Sequence, residues 1–273
     1  MLEVHSTLDF LIDDPLYRTE RPYIFTPAGG VMVDSSHPTL NTVRLADVPV
    51  TLSDIRDAAG FTLGTAGFEK TDHTTRIDLK RVQDVDVRDQ YREETAAVLK
   101  QYLKAEHVYY YNVKTRKNVV FDPEEKVDLL DRLAPELAAL GIHDFLMTGS
   151  QIHEAGYRFR VVNTWRPLLP VIEDRPLAFC AFRSIDPADM VVADRIFPHE
   201  TFELYFVKHN PSQRWHWLSK QRQSELILML MDSQAGGARF CPHGSFVNPL
   251  AGPDSPPRES VETRSIVIGK CVQ

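Results

Sequence analysis

Hydrophobic and polar positions change rhythm about halfway along the chain. From residue 157 onward short apolar runs follow one another: Tyr157–Thr164, Leu177–Phe182, Thr201–Val207, Trp215–Leu218, Glu225–Met231, Ala238–Cys241 and Val261–Ile268. Pro, Asn, Asp and Gly separate them, while Val, Ile and aromatic residues fill them, so each is predicted to be a strand. Several short strands at this spacing predict a double-sheet β-core with helices packed outside it.

The first half reads differently. Residues 1–42 are rich in Pro, Asp, Thr and Gly and are expected to form an extended arm with short strands such as Tyr23–Thr26. Val43–Val50 and Phe61–Phe68 read as strands, with a short helix over Leu52–Ala59 between them. Asp86–Leu103 is amphipathic: Tyr91, Thr95, Val98 and Tyr102 share one face and charges occupy the other. His107–Val113, dense in Tyr and Val, reads as a strand. Asp122 followed by Pro123 is a helix start, with Val127, Leu130, Ala134 and Leu137 as its apolar face, Pro135 as a kink and Gly141 as its stop. The chain thus divides into the arm (1–42), a mixed α/β part (43–156) and a β-core (157–273), in one domain of 273 residues.

Charge and cysteine content narrow the function classes. A formal net charge of −7 with scattered Lys and Arg gives no basic footprint, which argues against nucleic acid as a partner. Cys180, Cys241 and Cys271 have no metal-type spacing, and three is not a disulfide framework. No secretory signal and no run of membrane-spanning length is visible, so a cytoplasmic location is expected.

The chemistry-bearing residues cluster near the end. His243 closes one short apolar run, and Arg258 and Arg264 lie just before and within the next. On neighbouring strands, an imidazole and a guanidinium would project into one cavity, able to hold a metal and an organic acid. The loop 248–257, with four prolines, is a rigid connection between them. A lone His near a strand end is more often structural, and His143, His153, His199, His209 and His216 form no metal-ligand pair by spacing. No nucleophile elbow or phosphate loop is present.

The set Val161-Val162-Asn163-Thr164-Trp165-Arg166-Pro167-Leu168, Pro176-Leu177-Ala178-Phe179-Cys180, Arg183-Ser184-Ile185-Asp186-Pro187, Asn210-Pro211-Ser212-Gln213-Arg214-Trp215, Pro242-His243 and Pro257-Arg258-Glu259-Ser260 resembles the fungal hydroxylase/desaturase family of secondary-metabolite clusters, related to the cephamycin 7α-methoxylase component. Ser53-Asp54-Ile55-Arg56 and Ala59-Gly60-Phe61 extend the likeness more loosely. The resemblance implies a mostly β protein with flanking helices, built on a double-stranded β-helix (jelly-roll or cupin-like) core. It also implies Fe(II) held by a His-x-Asp pair and a later His, with 2-oxoglutarate held by an Arg of a late strand. By position His243 matches the later iron ligand, and Arg258, in the Arg-Glu-Ser element, or Arg264 matches the carboxylate partner. Trp165 and Arg166 either shape the core or touch a ligand.

At the His-x-Asp position the chain departs from the family. The matching segment is Val119-Val120-Phe121-Asp122-Pro123. Asp122 supplies a carboxylate there, unless it serves only as the helix N-cap, but Val120 stands where the first histidine belongs and has no lone pair to give a metal. His107, His143 and His153 are the nearest substitutes in sequence. The resulting expectation is a non-catalytic subunit paired with an intact paralogue, in a complex acting on a small natural product. The alternative is an active hydroxylase or desaturase with a variant iron site.

Overall fold

Strand alternation begins earlier than an arm would allow. In the computed structural model, which describes residues 2–25, 42–117, 156–198, 201–232 and 239–270, Val4, Leu8 and Phe10 are buried while Glu3, His5, Thr7 and Asp9 face solvent. This period of two makes β1 (Glu3–Leu11) a strand. After a short β2 (Tyr23–Phe25) comes β3 (Leu45–Asp54), which pairs antiparallel with β1 from Glu3↔Ser53 to Leu11↔Leu45. The expected helix over Leu52–Ala59 therefore does not form. Val50, Leu52 and Asp54 continue the buried alternation of β3, and the Asp54 carboxylate then turns the chain by accepting from the backbone N–H groups of Arg56 and Ser219, both at 3.0 Å.

The strand expected over Phe61–Phe68 is also displaced. Residues 61–67 are turns knitted by the Thr62 and Thr65 hydroxyls, and β4 (Phe68–Asp72) begins where that reading ends. Gly67 enables the entry into β4. Its φ is +85°, and a Cβ there would collide with the Phe240 carbonyl. Gly67→Ala is expected to destabilise the fold by about 2–4 kcal/mol, read from the urea midpoint, because both strain and overlap must be relieved.

Helix α1 (Val85–Tyr102) follows, close to its expected bounds, but its buried face is turned by part of a turn. Val87, Tyr91, Thr95 and Leu99 are buried at i, i+4 spacing, while Val98 is half-buried and Tyr102 exposed. The remaining elements are strands: β5 (His107–Lys117), β6 (Tyr157–Pro167), β7 (Leu177–Cys180), β8 (Met190–Ile196), β9 (Thr201–Val207), β10 (Trp215–Trp217), β11 (Glu225–Asp232), β12 (Arg239–Phe240), β13 (His243–Ser245) and β14 (Glu259–Lys270). The helix expected from Asp122 lies outside the described residues.

Two sheets enclose the core. One runs β1-β3-β10-β7-β13; the other runs β12-β11-β6-β14-β5, with β4 also on β11. A small sheet β2-β8-β9 flanks them. Phe179 and Leu177 of β7 pack on Phe68, Trp165, Ile227 and Met229 of the larger sheet, which defines the interior between the two. On the far side of that larger sheet, Leu99 of α1 packs against Val162, Leu228, Leu230 and Val267. This is the jelly-roll expected from the sequence. Among the described residues no helix is long and apolar enough to cross a membrane.

The Asp54–Arg56 stretch is a structural clamp. Arg56 places its guanidinium fork on Glu225 at 2.7 and 3.1 Å and also donates to the Ser219 carbonyl. Burial alone would raise the Glu225 carboxyl; the Arg56 hydrogen bonds overcome it and hold the group below the ordinary range.

Candidate functional site in the barrel interior

Strand register decides which residues meet inside. In an antiparallel pair, directly opposed residues project from the same face. His243 stands opposite Phe179, and Phe179 opposite His216, so both imidazoles share the interior face of β13, β7 and β10 with Phe179 between them. On the facing sheet the row runs Phe68, Met229, Asn163, Arg264. The Phe68 ring lies 5.2 Å from Phe179 and 5.9 Å from His216, centroid to centroid, which closes the interior at that end.

His243 is exposed, and its Nδ1 lies 2.8 Å from the Cys241 carbonyl. A carbonyl only accepts, so Nδ1 carries the proton and the neutral ring keeps a lone pair on Nε2. A carbonyl that holds one ring nitrogen in this way orients the imidazole and suits it to a metal. His243 therefore fits one place in an iron site. Asp122 and Val120 lie outside the described residues, as do His143 and His153. His107 sits at the start of β5, opposite Ile268 and stacked on Tyr109. Among the described residues no three His, Cys, Asp or Glu side chains group as metal ligands.

The two arginines have different settings. Arg258 is buried just before β14 and donates Nη1 to the Arg175 carbonyl at 3.3 Å. The proline-rich loop places it there: Asn248 donates from its amide to the Glu173 carbonyl at 2.7 Å, tying the loop to the chain that enters β7. Ser260, two residues on, is fully buried, and its hydroxyl has no hydrogen-bond partner among the described residues. Arg264 lies further along β14 and donates Nε to Glu262 at 3.0 Å. Either guanidinium has the planar fork that suits a carboxylate, so both arginines stay candidates for the organic acid.

Trp165 and Arg166 separate cleanly. Trp165 faces the interior in the Phe179 cluster. Arg166 faces the other way, under α1, and donates to the Tyr91 hydroxyl at 3.2 Å, the His73 carbonyl at 2.9 Å and His73 Nδ1 at 2.8 Å. It shapes the core and touches no interior surface.

Two interior residues were not singled out by the sequence reading. His216 lies against Phe61, 4.6 Å between centroids, and its Nδ1 has no partner among the described residues. Burial pushes this imidazole down from 6.5 to about 4, so it is neutral at ordinary pH. Asn163 is also buried, with Oδ1 unpartnered among the described residues. Asn163 stood inside a recognised motif, yet one-letter sequence carries no sign of whether an amide is satisfied.

Comparison with known proteins now bears on this geometry. A family model described as an oxidoreductase/YMDC permease-like domain matches residues 18–268. The chain belongs to this family. It is 28% identical to the hydroxylase/desaturase efuI of Hormonema carpetanum, over 94% of this chain and 96% of that protein. It is likewise 28% identical to the Fe(II)/2-oxoglutarate-dependent dioxygenase nvfI of Aspergillus novofumigatus, over 97% and 96%. Among solved structures, the iron and alpha-ketoglutarate-dependent endoperoxidase NvfI superposes with a TM-score of 0.80, covering 98% of each chain at 22% identity. The family member described here thus has the jelly-roll fold of fungal 2-oxoglutarate oxygenases, and its relatives are Fe(II)/2-oxoglutarate-dependent enzymes.

Proposed function

We propose that this chain is a catalytically degenerate 2-oxoglutarate oxygenase of secondary-metabolite biosynthesis, acting as the non-catalytic partner of an intact paralogue. The observation that carries this reading is Val120. An iron site of this type uses two imidazoles and a carboxylate, and a valine in place of one imidazole fits no ligand. The loss weakens Fe(II) binding by roughly several kcal/mol and opens the coordination geometry. Arg258 with Ser260 keeps a place for an organic acid, and His243 keeps one donor, so the barrel is preserved beyond what its iron chemistry would require. Retention of the fold without the full ligand set is the signature of a supporting subunit. The small-molecule substrate then belongs to the complex.

A second reading is favoured by one observation, the Nδ1–H of His243 fixed on Cys241 with Nε2 left open. It makes this chain an active hydroxylase or desaturase, with His243 and Asp122 on iron and Arg258 or Arg264 on the cosubstrate.

Anaerobic Fe(II) titration beside a relative with an intact pair separates the two. The degenerate reading expects affinity weaker by at least about 100-fold, since even outer-sphere losses cost about 10–100-fold. Equal affinity favours the variant enzyme. Co-expression with an intact paralogue is expected to give a complex larger than either chain on gel filtration, and monomers at micromolar concentration would remove the subunit role.

A further inference from the structure

We propose that His73 is a two-position proton switch on the outer side of the larger sheet: neutral, it is bonded to Arg166 of β6; protonated, it releases Arg166 and pairs with Glu94 of α1. The inference does not depend on the iron site or on a partner chain. His73 follows β4 directly, where its backbone N–H donates to the Ser224 carbonyl at 2.8 Å and its carbonyl accepts from Arg166. Its ring stands between two charges of opposite sign. Nδ1 lies 2.8 Å from Arg166 Nη2, and Nε2 lies 4.0 Å from Glu94 Oε1.

A guanidinium only donates, so Nδ1 is the acceptor and the neutral ring carries its proton on Nε2, the side of Glu94. Glu94 Oε2 accepts from the backbone N–H of Arg76 at 3.1 Å, while Oε1 is buried and bonds to nothing among the described residues. A buried carboxylate oxygen left unmet is costly. This one lies just beyond hydrogen-bond reach of a ring able to gain a positive charge.

Arg166 and Glu94 are the charged groups that act on the ring. Of the other neighbours, the Tyr91 hydroxyl of α1 accepts from Arg166, Asp72 of β4 is paired with Lys70, and the chain before β11 brings the uncharged Gln223 and Ser224. A second proton must enter at Nδ1, where it sets N–H against N–H and cation against guanidinium. Burial and then Arg166 hold the imidazole below its ordinary 6.5, while Glu94 acts the other way. The bond to Arg166 is therefore complete above about pH 6.5 and is lost as pH falls toward the folded-state value. A shift of about 1 Å then brings the Nε2 proton onto Oε1 as a charge-assisted hydrogen bond.

The test follows nitrogen-15 signals of the full-length protein by NMR between about pH 8 and pH 5. At the upper end the His73 ring is expected as the Nε2–H tautomer. As the ring gains its proton, solvent exchange of the Arg166 Nη protons should rise by about 10-fold, the size of one lost hydrogen bond. His73→Gln, whose side-chain oxygen can accept from Arg166 but does not titrate, should abolish that rise. Glu94→Gln should move the His73 midpoint to lower pH, because the attracting carboxylate is gone. A neutral ring protonated on Nδ1 overturns the proposal, since it needs no variant to fold. So does a His73 midpoint that Glu94→Gln leaves unmoved, a folded wild type whose His73 stays neutral down to about pH 5, or an exchange rise equal in His73→Gln.

Discussion

Arg166→Ala is expected to cost about 3–5 kcal/mol of stability, a large part of what holds a domain together. Arg166 is 1% exposed and sits on the face of β6 that α1 covers. Its guanidinium joins three separate pieces of chain: the Tyr91 hydroxyl on α1, the carbonyl and Nδ1 of His73 after β4, and the Gln223 carbonyl before β11. Alanine leaves the acceptors on half-buried His73 and Gln223 and on buried Tyr91 without their donor, and each unmet buried group adds about 1–3 kcal/mol of desolvation cost. Lysine should rescue little, because one ammonium cannot reproduce a planar fork with five donors. Tyr91→Phe removes one bond and should cost about 1 kcal/mol. Urea unfolding of the three variants checks the ranking. An Arg166→Ala protein within about 1 kcal/mol of wild type would mean the network does not fasten α1 to the sheet.

The second large effect is a pH dependence that His216 imposes. Its folded-state value, about 4, lies below the unfolded value of 6.5 because burial penalises the cation. Between those values the unfolded chain binds a proton that the folded chain refuses. The stability associated with the neutral ring is therefore complete above about pH 6.5 and is lost as pH falls toward 4, by about 3 kcal/mol in all. His73, lowered by burial and then by Arg166, adds in the same direction. His216→Phe preserves the aromatic packing and removes the titration. Its unfolding free energy should fall less than the wild type's between pH 7.5 and 5, a comparison that cancels the carboxylates common to both. Parallel pH profiles would show that His216 is not held neutral by the fold.

The jelly-roll half was legible because its strands are short Val-, Ile- and aromatic-rich runs cut by Pro and Gly, and the motifs 161–168, 242–243 and 257–260 carry family resemblance. The N-terminal half misled for a physical reason. In β1, exposed Glu3, His5, Thr7 and Asp9 alternate with buried Val4, Leu8 and Phe10, and polar letters on one face of an edge strand look like a solvated arm. Over Leu52–Ala59 a helix seemed plausible only because the period of two in β3 ends at Asp54, whose side chain makes the turn. In α1 the difference between Val98 and Leu99 as the buried residue depends on where β6, β11 and β14 meet the helix. Of the candidate residues, His243 stands opposite Phe179 on β13 and Arg258 lies at the entry to β14, positions that follow from the strand pattern. Asn163, His216 and Ser260 were not legible, because satisfaction of a polar atom is a property of the folded neighbourhood.

We propose that this barrel keeps its frame without its iron chemistry. The most direct test incubates the isolated chain with Fe(II), ascorbate, 2-oxoglutarate and oxygen and measures succinate. None above the no-protein control is expected, for the wild type as for His243→Ala. Steady succinate release by the wild type that His243→Ala abolishes would contradict it.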